Sequence, residues 1–208
     1  AFAAFYEKMR VELVRTDEEN PSRPTKQTRF PRPQHLGDYD IVTGPQGFSS
    51  IRQISSGEVM HSVNRPSDEA QKLYVDQSGL AARLLRRPGA DGELVLWDVG
   101  LGAASNAMAA LECFARVLAD QGTDAVRPLR IVSFERDLDP LRLALREPGR
   151  FPHLRHGAPH ALVNTGRWRH GSGLCHWELL HGDFLGFLES APVPEIIFYD
   201  PFSAKTDS

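Results

Sequence analysis

The sequence predicts an α/β fold in which a parallel sheet is covered by helices on each side. Three observations carry this. From residue 93 onward, compact apolar runs alternate with stretches of helical periodicity. The runs stay apolar at consecutive positions, as strands buried on both faces do, instead of alternating in and out. And four of them close on an acid: Asp98, Glu135, Asp183 and Asp200.

Taken in order, the chain opens with Phe2, Phe5, Tyr6, Met9 and Leu13 at helical spacing, which predicts an amphipathic helix over 2–15 that must pack on something. Residues 17–37 then carry Pro21, Pro24, Pro31 and Pro33 among Arg23, Lys26, Arg29 and Arg32, the composition of an extended basic linker. Residues 1–37 thus read as one helix and its linker. In 38–89, the pieces YDIVT, SIRQIS and EVMHSV are punctuated by Gly44-Pro45, Gly47 and Ser56-Gly57 and predict a small antiparallel meander. A helix should come next, with Ser67 as its N-cap, Leu73, Leu80, Leu84 and Leu85 as its apolar stripe and Pro88-Gly89 as its end.

Residues 90–208 hold the sheet. Strands are predicted over 93–100, 129–135, 176–183 and 195–201, and helices over 103–119, 140–145 and 184–190. Between them, 150–170 contains Arg150, Arg155, Arg167 and Arg169 with His153, His156, His160 and His170, and no acid. This stretch reads as a long loop, either solvated or facing RNA phosphates. Its histidines lack a cysteine or acid partner at ligand spacing, so no metal is expected.

Composition narrows the classes. The 208 residues, 41% apolar and 25% charged, fit one ordinary domain or one domain plus an extension. Lys plus Arg is 24 and Asp plus Glu is 27, and 24 − 27 gives −3, opposite in sign to proteins that coat nucleic acid without specificity. No apolar run approaches the ~20 residues of a membrane span, and charges interrupt the first residues where a signal peptide keeps an unbroken core. The chain reads as cytoplasmic. Cys113 and Cys175 form neither a disulfide framework nor a metal spacing and are expected to be free thiols.

Ligands of such folds bind beyond the carboxyl ends of the strands, so the residues closing each strand are the informative ones. Asp98-Val99-Gly100-Leu101-Gly102 runs straight into a helix. Its glycines permit a tight turn and close backbone approach, and the helix start favours an anionic group; a glycine pair with no ligand would look the same. Glu135 closes the second strand, where a carboxylate can accept both hydroxyls of a ribose. Nicotinamide enzymes need a third glycine where this chain has Ser105, and an acid ~20 residues on. Here the gap is 135 − 102 = 33 residues. Asp98 before the first glycine instead gives D-x-G-x-G, the usual opening of methyltransferases that use S-adenosylmethionine. Gly182-Asp183 falls where such enzymes hold the adenine amino group, although it is also a common local turn. Tyr199-Asp200-Pro201-Phe202-Ser203 resembles the D/N-P-P-Y/F motif of amino-methyltransferases with a single proline. Methyl transfer is an in-line displacement in which an amine presents its lone pair while an acceptor holds its N–H groups, and Asp200 suits that role. A turn or N-cap aspartate is the local alternative.

Together, DVGLGAASN (98–106), SFE (133–135), GDF (182–184) and YDPFSAKTD (199–207) resemble the methyltransferase domain of the MnmC family, which completes 5-methylaminomethyl-2-thiouridine at the wobble position of tRNA. GEVMHSVNRPSDEAQKLYV (57–75) is similar to that family's segment leading into the sheet, with Glu69 at its acidic position. The resemblance implies a Rossmann-like class I methyltransferase sheet, S-adenosylmethionine as cofactor and tRNA as partner. It implies Gly100, Gly102 and Asn106 along the methionine part behind Asp98, Glu135 at the ribose, Asp183 near the adenine and Asp200 at the target nitrogen. Glu69, Pro201 and Phe202 fall on the substrate side. The chain departs from the family at Ala104, which replaces glycine and suits a helical backbone, at Ala204, which replaces proline, and at Asp207-Ser208, which replaces Asn-Pro. The family's oxidase domain has no counterpart here, so the resemblance implies the methyl-transfer half alone. Sheets of this class carry further strands after the fourth, so 90–208 is expected to be the first half of a catalytic domain. A small amine or a protein side chain as acceptor, and a non-catalytic scaffold that binds cofactor or RNA, are the alternatives.

Overall fold

The structure, a computed structural model, describes residues 34–44, 46–60, 65–87 and 92–201. The expected helix over 2–15, all but the last residues of the basic linker, Pro88-Gly89 and Phe202 lie outside them.

Strand β4 (Leu94–Val99) is an inner strand of the large sheet and is buried at every position. Its run of large apolar residues has sheet on both sides and cover on both faces. Parallel neighbours are β5 (Leu129–Glu135) on one side and β8 (Ile196–Tyr199) on the other. Beyond β5 lies β7 (Cys175–His181), parallel, and then β6 (Arg167–Arg169), antiparallel, giving the order β6-β7-β5-β4-β8. The expected parallel sheet is therefore mixed, because β6 and β7 form a hairpin whose turn hydrogen bonds include Gly173 N–H to the His170 carbonyl. The chain moves outward from β4 through β5 to the β6–β7 hairpin, then returns to the other side of β4. This reversal puts the topological switch point at the carboxyl ends of β4 and β8.

Helix α3 (Ser105–Gln121) makes the crossover from β4 to β5 and buries Met108, Leu111, Phe114 and Val117. Helices α4 (Asp139–Leu145) and α5 (Gly157–Thr165) link β5 to the β6–β7 hairpin. Helix α5 corrects the expectation of a loop over 150–170: Leu154, Ala158 and Leu162 are fully buried, and His156 caps the helix by accepting from Ala158 N–H (3.1 Å). The other face of the sheet carries Val95, Trp97, Val99, Val132 and Phe134 under Phe184 and Phe187 of a 3-10 turn.

Before the large sheet, β1 (His35–Leu36), β2 (Tyr39–Thr43) and β3 (Ser49–Gln53) form an antiparallel sheet, with Arg52 bridged to Val59. The end of the expected linker is thus strand. Arg150 ties this sheet down by donating to Ser49 Oγ and Thr43 Oγ1, both at 2.9 Å.

The helical segment after the small sheet begins earlier than Ser67 suggests. Arg65 is the N-cap and Pro66 takes the first helical position of α1 (Pro66–Glu69), where a missing N–H costs nothing. A π-helical turn (Ala70–Asp76) continues it, Gly79 in the left-handed region breaks it, and α2 (Leu80–Arg83) resumes. The wider turn shifts the apolar face of the segment by about 100°, the rotation of one α-helical residue. Leu80 and Leu84 are buried as expected, but Leu73 is exposed and Val75 takes its place in the core.

Candidate cofactor and substrate cleft

Glycines at the end of β4 bring three segments together. Gly100 adopts φ +88°, and a Cβ there would collide with the Asp200 carbonyl and Pro201 Cα. Only glycine lets the end of β8 lie against the end of β4. Gly102 adopts φ +50° beneath the Met60 sulfur, so the segment after β3 roofs the glycine loop. Ala104, expected on a helical backbone, is instead left-handed at φ 62°, the sole non-glycine with positive φ among the described residues. That conformation costs an L-residue roughly 1–2 kcal/mol, which is why glycine suits the position.

Between roof and loop lies a cleft of about 170 Å³ lined by Glu58 and Met60 above, Gly100, Gly102 and Asn106 below, and Asp200 with Pro201 at one end. Whole small-molecule sites enclose about 300–1,000 Å³, so this one surrounds one end of such a ligand. Several polar atoms of its lining residues lack partners. Ser105 Oγ, Asn106 Oδ1 and Glu58 Oε2 are all buried without a hydrogen-bond partner, and α3 starts without a side-chain cap. Buried polar groups normally find partners, and leaving one unmet costs about 1–3 kcal/mol. A polar ligand end toward which these side chains turn would satisfy them.

Glu135 Oε2 accepts from Gly102 N–H (3.0 Å), while its Oε1 accepts from Arg136 and Asp137 N–H (2.8 and 3.0 Å). Three amides thus fix the carboxylate beside the glycine loop and leave about one of its four lone pairs free. Tyr39 reaches in from the small sheet to hydrogen-bond Asp137; burial first, then Asp137 and Glu135, push its phenol up to about 12. His153 Nε2 donates to the Ala103 carbonyl (2.9 Å), steadying the loop from the segment before α5.

Asp98 does not line the cleft. It sits under it, 1% exposed, accepting from Ser133 Oγ (2.7 Å), which in turn accepts from Trp177 Nε1 (2.8 Å). Burial, with a smaller contribution from Asp200 and Glu135, pushes its carboxyl up to about 7 despite the Ser133 bond. Asp183 caps the 3-10 turn after β7, accepting from Leu185 N–H (3.0 Å), which is the local role its Gly-Asp sequence allows.

Asp200 is held from two sides. Asn106 Nδ2 donates to its Oδ2 (2.9 Å), which fixes the amide's orientation and aims Oδ1 elsewhere. Tyr74 hydrogen-bonds it from the π-helical turn, and burial together with the charges of Asp200, Glu69 and Asp98 raises that phenol above its usual value. The Tyr74 ring also packs on Phe198 at 5.2 Å. Glu69 is close enough to act on Tyr74 but is not on the cleft wall. Tyr74 and Glu58 both lie in the segment 57–75 that resembles the family, but no residue pattern there singles either out as a site residue. A π-helical turn, common at functional sites, has no periodicity to signal it, and Glu58 looks like one polar residue of a strand.

Its fold is similar to that of MnmC2. The solved structure is that of the Aquifex aeolicus protein, with TM-score 0.58 and 21% identity over 82% of this chain. The match covers 52% of that protein, so this chain spans about half its length. A likeness at this identity establishes the fold: a Rossmann-like α/β sheet. No family model and no curated protein sequence matches the chain. Among the described residues, no group of three or more His, Cys, Asp or Glu is placed to hold a metal ion, and no helix is long and apolar enough to cross a membrane.

Proposed function

We propose that this chain is an S-adenosylmethionine-dependent N-methyltransferase domain whose acceptor is an amine, an aminomethyl group on a tRNA wobble uridine. The observation that carries the proposal is the charge of the cleft. Glu58 and Asp200 line it, Glu135 and Asp98 lie beside and beneath it, and no Lys or Arg is on its described wall. Such a site repels a pyrophosphate and attracts a cation. Together with the unpartnered Ser105, Asn106 and Glu58 atoms, this fits S-adenosylmethionine better than a dinucleotide.

Gly100, Gly102 and Asn106 would hold the cofactor's methionine part, and Glu135, already anchored by three amides, would accept from a ribose hydroxyl with its remaining lone pair. When bound, the cofactor supplies an electrophilic methyl group. The chain's own part is to present the amine. Asp200 accepts an N–H from the incoming amine and so aims its lone pair, while Tyr74 and Asn106 keep the carboxylate from turning. Its charge also favours the proton-rich nitrogen that methylation leaves, and solvent at the cleft mouth takes that proton.

Calorimetric titration tests the cofactor. S-adenosylmethionine should bind with micromolar Kd and NADH should not; the reverse would end the proposal. Asp200→Ala should then retain cofactor binding and lose methyl transfer to tRNA carrying the unmethylated aminomethyl group. Unchanged transfer would remove Asp200 from its role.

A further inference from the structure

Glu58 closes no strand of the large sheet and belongs to no glycine motif, yet it is the one carboxylate on the roof of the cleft. Its place is fixed by backbone. Glu58 carbonyl accepts from Gln53 N–H (2.8 Å), and Met60 N–H donates to the Ile51 carbonyl (2.9 Å), so residues 58–60 run as an added strand along β3. Glu58 N–H donates to Ser56 Oγ (3.2 Å). This leaves the side chain over the glycine loop, where its Oε2 is buried and has no partner.

Two further unmet atoms, Ser105 Oγ and Asn106 Oδ1, belong to residues of the cleft floor that are 7% and 5% exposed, at the start of the 17-residue helix α3, which has no side-chain cap. These groups call for two kinds of partner. A carboxylate oxygen and an amide oxygen can only accept, so they call for N–H donors, and the carboxylate calls for a positive one. The helix start, with its free amides, and a serine hydroxyl favour a negative group. A ligand end carrying ammonium and carboxylate on one carbon meets both demands within a space of this size.

We infer that Glu58 binds the ammonium of an α-amino-acid end inserted between the roof and the start of α3, while Ser105 and the α3 amides take its carboxylate. This rests on S-adenosylmethionine being the cofactor and extends that reading: Glu58 is the residue that distinguishes S-adenosylmethionine from a bare adenosine thioether. Burying the charge pair at Glu58 would also pin the small sheet onto the glycine loop when ligand is present.

Calorimetry on the full chain, wild type and Glu58→Gln, with three ligands separates the possibilities. The ligands are S-adenosylmethionine, its decarboxylated form, which keeps the ammonium, and 5′-methylthioadenosine, which lacks the amino-acid end. Glu58→Gln keeps the side chain's shape. It should weaken the first two by about tenfold or more, the size of a lost charge-assisted hydrogen bond, and leave 5′-methylthioadenosine within about twofold. Glu58→Asp, with the charge kept but shortened, should fall between. Equal weakening of all three would make Glu58 a structural residue and overturn the inference, as would S-adenosylmethionine binding untouched by Glu58→Gln. Should the wild type bind none of the three, the cofactor reading itself fails; should it bind 5′-methylthioadenosine as tightly as S-adenosylmethionine, that reading stands and the role of Glu58 falls.

Discussion

The two borders of the large sheet are finished differently. On one side β6 is three residues long and carries exposed Arg167 and Arg169, with the Trp168 ring turned inward against His156 and His170 at 5.4 and 5.9 Å. Short length and like charge are what keep an edge strand from pairing further. On the other side β8 presents Ile197 and Tyr199, 51% and 62% exposed, as rungs beside Trp97 and Val99. Among the described residues nothing pairs with its outer edge. One border is guarded, and the other has the composition of an inner strand. The candidate site lies at the unguarded side, where β8 ends in Asp200.

The largest effect should come from separating β8 from β4. Gly100→Ala adds a methyl against the Asp200 backbone at a left-handed residue. Strain and overpacking together should lower stability in urea by about 3 kcal/mol or more and abolish ligand binding. An unchanged midpoint would mean that the two strand ends are not in contact.

Next is the tie at the other end of β8. Arg127, 5% exposed, pairs with Glu195 (2.5 Å) just before β8 and donates to the carbonyls of Gly92 (2.9 Å) and Arg83 (3.2 Å). Because Glu195 is itself half in solvent, Arg127→Ala should cost about 2 kcal/mol, less than a fully buried pair would. A loss below ~0.5 kcal/mol would show that β8 is held by its ladder alone.

The guarded border should answer to acid. Burial, and then His170, hold the His156 imidazole below its usual 6.5, and its neutral Nδ1 is the cap of α5. A lowered folded value means the unfolded chain takes the proton first. The contribution is therefore whole above pH ~6.5 and is lost as pH falls through that value toward the folded one. Asp98, with its raised folded value, titrates over the same range with the opposite sign, so the His156 share is read as a difference between variants. The stability of the wild type in urea relative to His156→Asn, which caps without titrating, should be lower at pH 5.5 than at pH 7.5 by about 1 kcal/mol, a typical cap.

The smallest effect on stability should come from Ile197→Lys with Tyr199→Lys, which gives β8 the charge that β6 already has. Stability should change by no more than about 0.5 kcal/mol, while concentration-dependent light scattering falls. A large loss of stability would mean that these side chains are covered in solution.

Much of this is legible in the chain. The strand over 129–135 matches residue for residue, and those at 94–99, 175–181 and 196–199 fall within two residues, because burial on both faces leaves continuous apolar runs. The glycine positions are equally readable, since Gly100 and Gly102 are required by backbone geometry. The rest is hidden for physical reasons. Leu154, Ala158 and Leu162 do stand at helical spacing, but the prolines, histidines and arginines around them mask α5. A three-residue strand with one apolar side chain gives no signal of its direction, so β6 cannot be read from its residues. Asp98 and Asp183 lie at motif positions, yet one is a floor under the cleft and the other a turn cap. The residues that complete the cleft, Glu58 and Tyr74, come from the roof and from an irregular helical turn, where sequence pattern says least.

The hydrogen-bonded line from Trp177 through Ser133 to Asp98 has an optical consequence. The indole is wholly buried, and two short bonds of 2.8 and 2.7 Å connect it to a carboxyl poised near neutrality. Its emission should therefore report the field at the bottom of the cleft. With Trp97 and Trp168 replaced by phenylalanine, the fluorescence of the remaining tryptophan should titrate with a midpoint near 7, and a cation bound above should move that midpoint down. The molecule carries its own voltmeter, wired through the centre of the sheet.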